Sequence, residues 1–464
     1  MLIATARTLI RTSLWLVAAA LACPVPAAEI DPAYLDQGSA LAEAEMQRQG
    51  MPGMMLVVMD GDDPVLVRGF GRESVERDDP VGPATVFMYN SISKQLVAAA
   101  VMKLAEAGRL SVDDPVSRHL PDWTRLPTDL TIRHLLSHTS GMRDVHVQPA
   151  LAALYDRAGT TWEQFSAADR DTPSDFAPGT RWSYSNNNYL MLTLIIERAT
   201  GRALDAALDD LLFRPLDLAS IRLCPAQPGT RRGEARGHVL RDGALAGHPP
   251  EPVHLFTGAG GFCGTATDLA RWTRALATGR VVSPASYSLM TAPALLSGAE
   301  PADYGFGLAL VRPDGIPRIG HGGYGGGFGA QAAYYPDLEI TIVVMGNRFL
   351  FPERIERRIV RHLLLLAPPL YEEIPTSSEE RRRFIGQFDV GVHGWHPRVE
   401  EREGRLWFAL PAPRIEFPLI RVAEHELAGA DDADGYRLTF SPDGNEMRLL
   451  GMGLMTWYGR KVEP

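Results

Sequence analysis

The chain has 464 residues, with 46 Lys and Arg against 56 Asp and Glu, a net charge of −10 and a pI near 5.7. That balance gives no electrostatic case for nucleic acid as a partner. A hydrophobic content of 45 % is enough for one large domain and a smaller one, and three cysteines are too few for a disulfide scaffold or a zinc ribbon.

At the N-terminus Arg7 and Arg11 flank an apolar stretch from Ser13 to Ala22, and Val25-Pro26-Ala27 offers small residues for cleavage. Residues 1–28 therefore read as a signal peptide, which sends the mature protein to the periplasm or outside the cell. The apolar run is too short for a stable membrane span. Ala20-Leu21-Ala22-Cys23 is a weaker lipobox-like alternative with a lipid on Cys23. Cleavage would leave Cys224 and Cys263, either as one disulfide or as two separate buried thiols.

Residues 33–49 read as a helix ending at Gly50, and 54–60 and 65–70 as strands joined by Gly61-Asp62-Asp63-Pro64. Next comes Tyr89-Asn90-Ser91-Ile92-Ser93-Lys94, which opens a helix that is apolar all round and closes near Gly108. Ser91 and Lys94 are three residues apart, so one turn puts both on one face at the mouth of a buried helix. Lys94, Lys103 and Lys461 are the only lysines in the chain; every other basic residue is arginine. Lysine gives up its proton when desolvated and arginine does not, so Lys94 reads as a proton acceptor for Ser91. By itself an S-x-x-K match is expected about once by chance in a chain of this length.

Further on, 185–200 and 203–213 read as helices, the second stopped before Pro215, and 268–277 as a short amphipathic helix. Residues 330–335 and 340–345 alternate as strands around Pro336-Asp337, and 354–366 form a helix with a basic face. Two early strands, two late strands and a closing helix predict one α+β domain over 29–370, an antiparallel sheet flanked by helices. Residues 371–464 differ: short alternating runs such as Leu406-Trp407-Phe408-Ala409-Leu410 lie between turns and predict a small all-β domain. Arg381-Arg382-Arg383, preceded by Glu379-Glu380, reads as a solvated helical face.

Two more short motifs bear on chemistry. Tyr184-Ser185-Asn186 precedes a helix, and His321-Gly322-Gly323-Tyr324 leads into a glycine run. Alone, Tyr184 reads as a packed aromatic, Asn186 as a helix cap and His321 as a glycine-loop histidine. Gly320-x-Gly322-x-x-Gly325 fits a dinucleotide fingerprint, but strands follow it and no βαβ unit surrounds it. His134 and His138 have helical zinc spacing without the glutamate that such a motif needs, so no metal is expected there. No G-x-S-x-G elbow occurs, which removes the α/β-hydrolase reading.

Taken together, Ser91-x-x-Lys94, Tyr184-x-Asn186 and His321-x-Gly323 make the chain resemble the class C β-lactamase and penicillin-recognising serine hydrolase family over about residues 35–367. Connecting text supports this in Asp113-Asp114-Pro115, His138-Thr139-Ser140-Gly141, Ala177-Pro178-Gly179-Thr180 and Tyr304-Gly305-Phe306-Gly307. The resemblance implies a five-stranded antiparallel sheet beside an all-helical lobe, with Ser91 as the nucleophile of an acyl-enzyme and no cofactor. It implies that Lys94 and Tyr184 share the acid and base work, with the lysine charge lowering the phenol pKa. Asn186 would hold a substrate amide or the Lys94 ammonium, and His321 and Gly323 would line the substrate. The backbone N–H groups of Ser91 and Tyr324 would form the oxyanion hole.

His321 departs from the lactamase pattern, in which a lysine supplies a fixed positive charge for the penicillin carboxylate. H-x-G is found in D-aminopeptidase-like and esterase-like members, which points to small peptide, amide or ester substrates. A catalytically silent protein that binds or senses peptidoglycan fragments is the alternative. The C-terminal segment resembles the lipocalin-like β-domains attached to some members, beginning near Phe384-Ile385-Gly386-Gln387-Phe388-Asp389. Such a domain either walls the cleft and limits substrate size or is a passive accessory.

Overall fold

The computed structural model describes residues 32–462, apart from 158, 171, 226–227, 250, 350, 367–370, 392–394, 411–414, 431–435 and 452–453. The expected signal peptide and Cys23 lie outside the described residues. Helix α1 (Pro32–Arg48) leads into the strands β1 (Gly53–Asp60), β2 (Asp63–Ser74), β3 (Arg77–Pro80) and β4 (Val86–Met88). Helices α2 (Ser93–Glu106) and α3 (Asn186–Thr200) carry the helical lobe, and strands β5 (Arg222–Leu223) and β6 (Phe262–Thr265) pair beside β4 in the order β4-β6-β5. Helix α4 (Ala266–Ala277), strands β7 (Ala309–Val311), β8 (Arg318–Gly325), β9 (Phe328–Tyr335) and β10 (Ile340–Gly346), and helix α5 (Pro352–Leu363) follow.

The main sheet has the order β7-β8-β9-β10-β1-β2-β3. Its centre is the pairing of β1 with β10, Met54 opposite Gly346 and Asp60 opposite Ile340, so both ends of the domain complete one sheet. The expected five strands are seven: the short β7 and β3 extend the two edges. Both faces of β1 are buried, which is why it reads as an unbroken apolar run. Met55, Val57 and Met59 face the core shared with α2 and α3, while Met54, Leu56 and Val58 face α1 and α5. The basic face of α5 is turned inward, with Arg357 and Arg361 on Asp314.

Two local readings change. The helix expected over 203–213 is α-helical only over Leu204–Leu208, becomes a wider π turn over Asp209–Phe213, and runs into a 3-10 turn over Arg214–Leu216. Pro215 sits in the first turn of that last piece, where no intrahelical N–H is needed, so it does not stop the helix ahead of Arg214. Cys224 and Cys263 form a disulfide with Cα atoms 5.1 Å apart, tying the segment after β5 to β6.

The C-terminal segment opens with a helix, α6 (Ser378–Phe384), capped reciprocally by Ser377 and Glu380. Phe384 therefore ends a helix, and the first strand of the barrel starts at Gly386. Eight strands, from β11 (Gly386–Asp389) to β18 (Thr456–Lys461), close into a barrel. Among the described residues no helix is long and apolar enough to cross a membrane.

Candidate active site

A short 3-10 turn over Asn90–Ile92 precedes α2, and its first residue carries a positive φ of 49°. The turn aims Ser91 out of the core, and several bonds hold it in place. Tyr89 N–H donates to Phe262 O (2.9 Å), the Tyr89 hydroxyl to Thr265 O (2.9 Å), and Phe262 N–H to Ser93 Oγ (3.2 Å). Each ties the start of α2 to β6.

One turn further on, Lys94 is fully buried. Its Nζ lies 3.2 Å from Ser91 Oγ, 2.9 Å from Asn186 Oδ1 and 2.6 Å from Ala259 O. Burial brings its pKa down to about 7, with the Asp144 carboxylate pulling the other way. Asn186, the first residue of α3, accepts from the lysine and passes the contact on. Its backbone N–H donates to Asp144 Oδ2 at 2.6 Å and its side-chain amide to the same oxygen at 3.0 Å. Of the two expected partners, the Lys94 ammonium is in contact with Asn186 Oδ1. Asp144 is the member that sequence reasoning missed. Its one local mark is the cap it gives to the turn at Val145–Val147, through His146 N–H.

Tyr184 is buried against the same lysine, whose Nζ lies 4.8 Å from the ring centroid. Its hydroxyl has no well-formed hydrogen bond among the described residues, and Ser91 is the neighbour that acts on it most directly. The expected lowering of the phenol pKa does not occur. Burial pushes it well above the ordinary tyrosine value, and the Asp144 charge adds to the rise. The lysine thus takes the role of the group that titrates near neutrality, and the phenol keeps its proton.

Strand β8 runs along the other side of the nucleophile. A side chain at Gly323 would meet Tyr89 O at 2.1 Å and Ser91 N at 3.2 Å, so the close approach of strand to helix start requires a glycine there. Neighbouring β7 pairs with Arg318–Gly320, and among the described residues no strand pairs with the β8 edge from His321 onward on that side. His321 is buried; its Nδ1 lies 2.5 Å from Gly322 O and its Nε2 2.9 Å from the Tyr304 hydroxyl. Burial and the nearby Lys94 charge bring its pKa down to about 3, so the ring is neutral and supplies no fixed positive charge. Tyr324 donates its hydroxyl to Glu353 and accepts from Gln331 Nε2 at 3.2 Å, so its backbone is the part left for Ser91.

His134 and His138 do not converge. His134 closes a capping box with Thr131, while His138 accepts from Ser185 N–H (3.2 Å) and lies 4.3 Å from the Tyr184 ring. Among the described residues no group of three or more metal-binding side chains comes together.

Ser91, Tyr184, Asn186 and His321 open onto one cleft of about 540 Å³. The barrel forms part of its wall through Trp395, Met455 and Trp457, and the Trp457 ring centroid lies 5.6 Å from that of Tyr184.

Residues 39–366 match the beta-lactamase family. The chain belongs to that family. It is 29 % identical over 364 residues to a D-aminopeptidase of Gluconobacter oxydans (strain 621H), an alignment covering 76 % of this chain and 66 % of that protein. It is 31 % identical over 255 residues to the esterase EstB of Burkholderia gladioli, covering 50 % and 62 % respectively. The chain thus spans somewhat less than two thirds of the length of each. The octameric penicillin-binding protein homologue from Pyrococcus abyssi superposes with a TM-score of 0.67 at 22 % identity, over 92 % of this chain and all of that one. That likeness extends the shared architecture into the barrel.

Proposed function

We propose that the chain is a periplasmic or secreted serine hydrolase acting through a Ser91 acyl-enzyme on small peptide, amide or ester substrates, D-amino-acid peptides among them. The observation that carries this reading is a lysine with a pKa near 7 whose Nζ lies 3.2 Å from Ser91 Oγ. Neutral Lys94 takes the Ser91 proton as Oγ attacks the acyl carbon, and the oxygen charge that develops is held by the backbone N–H groups of Ser91 and Tyr324. The tetrahedral species collapses when the bond to the leaving nitrogen or oxygen breaks. The leaving atom takes a proton from the Tyr184 hydroxyl, which is resupplied from Lys94. Water then attacks the acyl-enzyme by the same route in reverse. Asn186 and Asp144 position the lysine. The relatives named above, a D-aminopeptidase and an esterase, support the amide and ester classes.

Neutral His321 gives a penicillin carboxylate no cation to pair with, so β-lactams are poor substrates in this reading. The test combines a fluorophosphonate probe with a panel of p-nitrophenyl esters, D-amino-acid p-nitroanilides and a chromogenic cephalosporin, for the wild type and Ser91→Ala. Labelling and ester or anilide turnover are expected in the wild type and absent in the variant. Turnover that survives Ser91→Ala defeats the enzyme reading, and cephalosporin turnover faster than every ester and anilide defeats the substrate reading.

A further inference from the structure

In the acyl-enzyme reading the developing oxyanion is shared between two elements. One N–H group belongs to Ser91, in the turn before α2, and the other to Tyr324 on β8. Strand β8 pairs with β7 and β9, so no ladder hydrogen bond fixes the gap between it and the turn over Asn90–Ile92. The width of an oxyanion hole built this way depends on whatever side chain spans that gap.

Asn90 spans it. Its side-chain amide donates from Nδ2 to Gly325 O at 3.2 Å. A carbonyl can only accept, so the NH2 side of the amide must face it. On the near side of Tyr324, a side chain at Gly323 would begin 3.1 Å from Asn90 Cβ and 3.2 Å from Ser91 N. Asn90 therefore meets β8 on both sides of Tyr324, by packing at Gly323 and by a hydrogen bond at Gly325. The Tyr324 hydroxyl is engaged elsewhere, with Glu353 of α5 and Gln331 Nε2. With its side chain held there and both its neighbours held by Asn90, Tyr324 can shift its N–H only if one of these contacts breaks. Asn90 is buried, so its bond to Gly325 meets little competition from water. Its φ of 49° lies in the left-handed region, which asparagine tolerates better than most residues.

We infer that the Asn90 side-chain amide is a positioning group for catalysis: by holding Gly325 O it sets the gap between the Ser91 and Tyr324 N–H groups, and so the fit of the oxyanion. This rests on the acyl-enzyme reading above and adds the residue that fixes the width of its oxyanion hole. The amide acts on β8 and not on the base, since Lys94 Nζ is bonded to Ser91, Asn186 and Ala259. Loss of the amide should therefore loosen the hole and leave the titration of Lys94 where it is.

The test pairs p-nitrophenyl acetate with its thiono analogue, in which C=S replaces C=O. Sulfur is larger and a weaker acceptor than oxygen, so the ratio of kcat/KM for the two esters reads how closely the hole fits an oxygen. Asn90→Gly keeps the positive φ and removes the amide. Asn90→Asp keeps the shape and sets an oxygen against Gly325 O. Both variants are expected to lower kcat/KM for the acetate about 10- to 100-fold and to shrink the oxygen-to-sulfur ratio about 10-fold. In Asn90→Gly the rising limb of the pH profile should stay at its wild-type position. A ratio that survives in either variant, whatever happens to the melting temperature, overturns the inference; so does a shifted limb in Asn90→Gly, which would place the effect on Lys94. Amide hydrogen exchange over residues 318–325 in Ser91→Ala protein reads the clamp without turnover, and adding Asn90→Gly should speed it about 10-fold. Unchanged exchange overturns the inference. Faster exchange beside turnover that survives Ser91→Ala defeats the acyl-enzyme reading and leaves the clamp between Asn90 and β8 supported.

Discussion

Lys94 is placed where an arginine would be useless as a base, and the sequence shows as much in how rarely it uses lysine. The side chain is fully buried, and burial brings its pKa down to about 7, whereas a guanidinium would stay charged. In the proposed mechanism the group acts when neutral, so kcat/KM for a neutral ester should rise with pH through an apparent pKa near 7 and level off above it. Lys94→Arg should lower kcat by about 10² to 10⁴-fold at every pH, read from a stopped-assay pH series. Asp144 refines the prediction. Its negative charge favours protonated Lys94, so Asp144→Asn should move the rising limb toward acid by up to about one unit. An Asn oxygen can still accept from the Asn186 N–H groups, so the fold around the site is expected to hold. A limb that stays put would show that Asp144 orients Asn186 and nothing more. Ser91, Lys94, Tyr184 and His321 were legible as residue types in order along the chain. Asp144 was not, because its partner Asn186 is 42 positions away and only tertiary folding joins them.

At the scale of elements, the site is a contact between the start of α2 and the edge of β8. The helix was legible because it is apolar on every face, and β1 and β10 because both their faces are buried. The meeting of strand and helix start was not, since nothing local marks Gly323 as the glycine of contact among those of its run. Gly323→Ala would put a carbon 2.1 Å from Tyr89 O, against backbone that cannot turn aside. The two elements must separate, which displaces the β8 edge from Ser91. A shift of about 1 Å at a reacting centre can lower the rate roughly 100-fold, so activity should fall far more than the melting temperature does. The π turn at Asp209–Phe213 and the extra edge strands are of the same kind: they depend on neighbours in space, and periodicity along the chain does not register them.

The whole molecule joins the sheet-and-helix unit and the barrel by packing that includes Tyr184. Trp182, Tyr184 and Tyr304 belong to one apolar cluster with barrel residues such as Phe388, Met455 and Trp457. The Trp182 ring lies 6.3 Å from Trp457 and 5.5 Å from Tyr458, so consecutive residues of β18 bracket it. Trp457 has two roles, since one ring both backs Tyr184 and walls the cleft. Trp457→Ala should therefore separate them. If the wall sets substrate size, kcat/KM for a bulky acyl ester should rise relative to acetate by roughly 10-fold, in the range that pocket volume alone provides. If backing the phenol matters more, kcat should fall for large and small esters alike. Trp457→Phe distinguishes the two, because it keeps a ring beside Tyr184 while opening part of the wall: its size preference should move part of the way toward that of the Ala variant with kcat for acetate unchanged. The expected outcome is the first, since the Tyr184 ring is also packed by His138, at 4.3 Å, and by Trp182 at 6.4 Å, and keeps those neighbours when Trp457 is cut back.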